Sequence, residues 1–175
     1  MSGFLNLRKN QHPKNYWRNS GSSEAGCRKV SSLTASKRIK NASCFFDTNI
    51  LLYLLSGDSD QAACVEGIVS KGGIISVQVL NEFASVASRK LGMTYAEIQE
   101  YLVTIRAVCD VRPLTVETHL LGLDIAERYG FSFYDCLIVS AALLADCTTL
   151  YSEDMQHGQK IENRMVITNP FLVEI

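Results

Sequence analysis

From Ser43 onward, short continuous apolar runs alternate with longer stretches in which apolar residues recur every three to four positions; the first 42 residues keep neither period. Cys44-Phe45-Phe46 predicts a strand that stops at Asp47, and a helix follows from about Asn49 to Leu55. A second helix, about Ser59 to Ser70, is closed by Gly72-Gly73, after which Ile74-Ile75-Ser76-Val77 predicts a second strand. The third helix, about Gln78 to Leu91, carries Val79, Phe83 and Val86 on one stripe and ends at Gly92. Thr94 with Glu97 spells a capping box for a fourth helix with Ile98, Tyr101, Leu102 and Ile105 on one face. Val111 to Leu114 predicts a short edge strand, because Pro113 has no N–H to give a ladder. Thr115 caps a helix that runs to Tyr129 and stops at Gly130, and a further helix spans about Tyr134 to Ala145. Thr148 to Tyr151 and Met165 to Thr168 predict the last two strands.

Short strands alternating with helices predict an α/β layer fold with a central, mainly parallel sheet flanked by helices. At 175 residues and 47% hydrophobic content the chain suits one domain with a sizeable core. Its longest apolar runs, Ile50 to Leu55 and Cys136 to Ala145, stop short of the roughly 18 residues that cross a bilayer, so no membrane span is expected. Six cysteines lie far apart with no CxxC pair, which argues against a zinc site or a disulfide framework and for a reducing, cytoplasmic setting.

Charge separates two segments. Residues 1–42 hold nine Lys/Arg against the single acid Glu24, a net of +8, whereas residues 43–175 hold eight against 17 acids, a net of −9. Residues 1–42 therefore read as a basic, disordered extension: a bland upstream segment, an RNA-touching arm or a targeting peptide. Residues 43–175 read as the folded domain.

In open parallel sheets, functional groups gather outside the carboxyl ends of the strands, which directs attention to acids at strand exits. Asp47 and Asp154 hold such positions. Taken singly, Asp47 has an ordinary explanation as a helix N-cap and Asp154 as a solvated loop acid. Glu82 lies on the flank of the third helix's apolar stripe and should be partly buried, as an ion-pair partner or a surface acid also would be. Asp135 stands on the inward side of a helix that is apolar all round from Cys136 to Ala145. A carboxylate there needs a partner, a metal or a raised pKa, unless it only stabilises the helix N-terminus. Together the four would repel one another unless cations intervene, and hard, oxygen-seeking Mg²⁺ or Mn²⁺ answers that need. Two such ions about 3.5 to 4 Å apart can clamp a scissile phosphate.

At these residues the chain resembles the PIN-domain family. Phe46-Asp47-Thr48-Asn49-Ile50 is similar to its opening Asp-Thr-Asn signature, and Val79-Leu80-Asn81-Glu82-Phe83 resembles the helix with its second acid. Phe133-Tyr134-Asp135-Cys136 and Tyr151-Ser152-Glu153-Asp154 resemble the third and fourth motifs, over about residues 43 to 170. The resemblance implies a three-layer PIN-like fold and a metal-dependent endoribonuclease with Asp47, Glu82, Asp135 and Asp154 as metal-binding acids. It also implies the toxin half of a toxin–antitoxin pair of the VapC-like branch, with an antitoxin and a second copy of the chain as partners and RNA as substrate. Thr48 and Ser152 match supporting hydroxyl positions, and Asn49 supports the first turn.

Where other members carry a further acid, this chain has Gln156-His157, which leaves one or two ions open. His157 has a choice between phosphate chemistry and an incidental loop position. Arg89, Lys90, Arg106, Arg112, Lys160 and Arg164 are available phosphate contacts or plain surface charges. Exposed apolar residues near Leu80 and Tyr101 are expected to supply a dimer interface. The other readings are a catalytically idle PIN-like module docking through helices 78–91 and 94–107, a haloacid dehalogenase-type phosphatase, and a receiver domain. Asn49 stands where the dehalogenase needs its second Asp, and the receiver's paired acids and Lys are not found.

Overall fold

The computed structural model describes residues 44–56 and 60–172; the segment 1–42, expected to be disordered, lies outside the described residues. Six strands, β1 (Cys44–Phe46), β2 (Gly73–Ser76), β3 (Cys109–Arg112), β4 (Thr149–Tyr151), β5 (Lys160–Ile161) and β6 (Met165–Thr168), form one sheet in the order β3-β2-β1-β4-β6-β5. All neighbours are parallel except β5 with β6. The helices are α1 (Thr48–Leu52), α2 (Asp60–Val69), α3 (Val77–Lys90), α4 (Tyr95–Val108), α5 (Val116–Tyr129) and α6 (Phe133–Leu144). The expected α/β fold, a mainly parallel short-stranded sheet flanked by helices, is the one observed.

Local chemistry explains the helix ends. Thr94 and Glu97 form the expected capping box, Thr115 pairs with Thr118 in a second one, and Gly130 closes α5 at φ 69°, a conformation that costs glycine nothing. The predicted helix from Asn49 to Leu55 is shorter: α1 ends at Leu52 and continues as a 3₁₀ turn, Tyr53–Leu55. The edge strand β3 begins two residues before its predicted start, because pairing Gly73 through Ser76 with Cys109 through Arg112 satisfies its backbone, and Pro113 lies past its end. The antiparallel β5 is an addition that no periodicity announced.

The sheet is buried on both faces, as parallel sheets are: Phe45, Phe46, Ile75 and Leu150 are inaccessible to solvent. Gly73 permits this packing, since a Cβ there would run into the Phe46 ring. Gly122 on α5 lies against Leu137 and Ser140 of α6 and lets the two helices approach closely. Leu80 and Tyr101 themselves pack half-buried against the core, while Tyr95 and Val103 on α4 and Val116, Leu120 and Leu123 on α5 are exposed. Among the described residues no helix is long and apolar enough to cross a membrane. The five described cysteines are free, and burial pushes the Cys109 and Cys147 thiols up to about 12, leaving them unreactive hydrophobes.

Candidate active site

The carboxyl ends of β1 and β4 lie side by side, because Phe46 pairs with Tyr151 and the Asp47 N–H donates to the Tyr151 carbonyl at 3.0 Å. Asp47 follows immediately as the N-cap of α1, only 5% exposed. Its Oδ1 accepts the Thr48 N–H at 2.6 Å. Its Oδ2 accepts the Ser152 hydroxyl at 2.7 Å and the Asn49 side-chain amide at 3.2 Å. Asp47 thus caps α1 while its other oxygen takes part in the hydrogen-bond network between the two strand exits.

Ser152 is fully buried and is itself anchored, since its Oγ accepts the Met155 N–H at 3.3 Å. Asn49 ties the two strand exits together: its amide nitrogen also reaches Ser152 Oγ at 3.3 Å, and its Oδ1 accepts the Glu153 N–H at 3.3 Å. Tyr53 completes this seam by donating its hydroxyl to Glu153 at 2.7 Å.

Glu82 reaches the site from the second turn of α3, half-buried as its place beside the apolar stripe predicts. Both oxygens are engaged, Oε2 by the Thr48 hydroxyl at 3.0 Å and Oε1 by the Gln78 amide at 2.7 Å. Asp135, in the first turn of α6, is half-buried, not sealed in the core. The Ser132 hydroxyl donates to it at 2.7 Å and in return accepts its backbone N–H at 3.3 Å. Gln78 and Ser132 escaped the sequence reading, although one stands four residues before Glu82 and the other three before Asp135, spacings that bring helix side chains together. Asp154 is exposed on the loop after β4.

Electrostatics joins the four acids. Burial is the main force lifting the Asp47 carboxyl to about 7; the bonds from Ser152 and Thr48 oppose it, and the charges of Asp135 and Glu82 add to it. Asp135 is raised chiefly by burial as well, with Ser132 opposing and Glu82 and Asp154 contributing. No Lys, Arg or His among the described residues makes an ion pair with any of the four. Nor do three His, Cys, Asp or Glu side chains among those residues converge into a ready-made cage for a metal ion. The donor chemistry nevertheless fits a hard divalent cation: carboxylate oxygens only, held by neutral donors, with the repulsion among them uncompensated.

The remaining candidates lie farther from this centre. His157 is exposed, and its Nδ1 accepts the Asn169 N–H at 3.0 Å, which fastens its loop to the chain after β6. Arg164 pairs with Asp146 at 2.6 Å, and Arg89 bonds to Ser85 one turn earlier on α3. Arg112 ends β3 at the same edge of the sheet as the acids, whereas Lys90 ends α3, Arg106 is in the last turn of α4 and Lys160 begins β5.

The model of the PIN domain family matches residues 44–160. No curated protein matches the chain by sequence. Among solved structures, a toxin–antitoxin complex from Klebsiella pneumoniae is similar at 17% identity and TM-score 0.58, covering 74% of this chain and 99% of that one. The VapC20 toxin of Mycobacterium tuberculosis, described as cleaving the sarcin–ricin loop, is similar at 17% identity and TM-score 0.54, covering 63% and 89%. VapBC2 from Rickettsia felis, bound to a DNA fragment from its promoter, is similar at 20% identity and TM-score 0.56, covering 72% and 97%. At these identities the likeness is one of fold.

Proposed function

The chain belongs to the PIN-domain family, and from that premise we propose that it is an endoribonuclease, the toxin of a toxin–antitoxin pair, that hydrolyses RNA phosphodiester bonds with Mg²⁺ or Mn²⁺ held by Asp47, Glu82, Asp135 and Asp154. The observation that carries this reading is Asp47 itself, buried at a strand exit, raised to about 7 beside two further acids, with no basic side chain among the described residues bonded to it. A group in that state is costly to the fold and gains its use when a cation arrives. The toxin and toxin–antitoxin descriptions of the similar structures support the biological role.

The residues divide the work. Ser152 and Asn49 aim Asp47, Thr48 links Asp47's helix to Glu82, and Ser132 aims Asp135. A divalent ion, if held by these acids, would supply positive charge toward an RNA phosphate and would make water more acidic. That charge matters because a segment of net −9 would otherwise repel a polyanion. The same acidity suits a basic antitoxin segment, and the reading also expects a homodimer, which sedimentation of the purified chain measures.

Mapping cleavage sites on total RNA with wild type and Asp47→Asn tests the proposal: Mn²⁺-dependent cuts are expected with wild type only, and equal cutting by both would refute it. The idle-module alternative draws on the lack, among the described residues, of a ready-made cage. Calorimetry separates the two, because an idle module binds no Mn²⁺ at millimolar concentration.

A further inference from the structure

Glu82 is tied from two elements at once, by Thr48 on α1 and by Gln78 one turn earlier on its own helix. Gln78 is only 7% exposed. Burying a carboxamide is costly unless it is hydrogen-bonded, and an apolar residue of the same length would fill that space without the cost. The partner that the Gln78 amide nitrogen finds is Glu82 Oε1, at 2.7 Å. Three rotatable bonds separate a glutamate carboxylate from its backbone, so an untethered Glu82 would sweep a wide arc past the other acids. A lysine could hold it equally well, but it would cancel the charge.

We infer that Gln78 is a positioning residue, a neutral tether that fixes Glu82 for a divalent cation while leaving its charge intact. The inference rests on the metal site proposed above and adds to it a residue outside the four acids. Groups that orient a metal ligand typically change affinity by about 10- to 100-fold when removed. The tether should therefore register in ion affinity more than in turnover at saturating ion.

The test is calorimetric titration of Mn²⁺ into the full-length wild type, Gln78→Met and Gln78→Lys, each checked for folding by metal-free thermal unfolding. The dissociation constant should rise about tenfold in Gln78→Met and further in Gln78→Lys, and RNA cleavage by Gln78→Met should return toward the wild-type kcat at saturating Mn²⁺. Equal affinity in wild type and folded Gln78→Met overturns the inference, since that is what mere space-filling gives. Gln78→Asn, whose amide is one methylene too short to reach, carries the same expectation if the Met variant does not fold. A wild type that binds no Mn²⁺ refutes the metal site and the tether together, whereas binding that is indifferent to position 78 refutes only the tether.

Discussion

Asp47 is 5% exposed and receives hydrogen bonds from Thr48, Asn49 and Ser152, whereas Asp154 lies exposed on the loop after β4 and makes no hydrogen bond to a described residue. Both sit at exits of neighbouring parallel strands, and electrostatics links both to Asp135. The contrast divides the candidate site into a buried, hydrogen-bonded floor and an exposed rim. The floor is part of the fold, built where β1 and β4 end and closed by buried polar bonds. The rim carboxylate is open to solvent.

The sharpest way to break this contrast is to remove the floor acid. Asp47→Asn should lower Mn²⁺-dependent RNA cleavage by about a thousandfold, from several kcal/mol of lost charge stabilisation at 1.36 kcal/mol per tenfold; a gel-based rate assay measures it.

The floor should also govern how metal-free stability depends on pH. With Asp47 raised from 3.8 to about 7, the folded chain retains a proton that the unfolded chain has already lost between those values. Stability therefore falls as pH rises through that window, by up to about 4 kcal/mol. Urea unfolding in chelator should show this decline and its flattening in Asp47→Asn.

Ser152→Ala removes a donor to a buried carboxylate and should reduce Mn²⁺ affinity by about 10- to 100-fold, read by calorimetry. Asp154→Asn should have the smallest effect, a loss of about tenfold or less in cleavage that extra Mn²⁺ restores, because exposed charges interact weakly through water. A loss at Asp154 as large as that at Asp47 would erase the distinction between floor and rim.

Much of the floor can be read from the sequence, and the reason is local. Asp47 follows a strand-like run, Glu82 flanks an apolar stripe and Asp135 opens an apolar helix, as the rim acid Asp154 follows another strand-like run. Periodicity places the acids, while their shared role comes from their repulsion and from the resemblance to the PIN-domain family. The tethers are harder to read. Asn49 meets Glu153 across 104 positions of sequence, a contact fixed only by the pairing of β1 with β4. Gln78 and Ser132 carry legible spacings but look like ordinary helix-surface residues until a carboxylate partner is located. The displaced β3 and the two-residue β5 show another limit, since backbone pairing decides such strands and leaves little trace in side-chain pattern.

The two margins of the sheet have a consequence for how the chain behaves in a crowded solution. An exposed strand edge is a template for aggregation, and here one margin is the four-residue β3, closed off by Arg112-Pro113, and the other is the two-residue β5, beginning with Lys160. Charge, brevity and a missing donor all discourage a neighbouring chain from extending the ladder. Changes at Pro113 or Lys160 would leave the acids untouched and show instead as a loss of solubility.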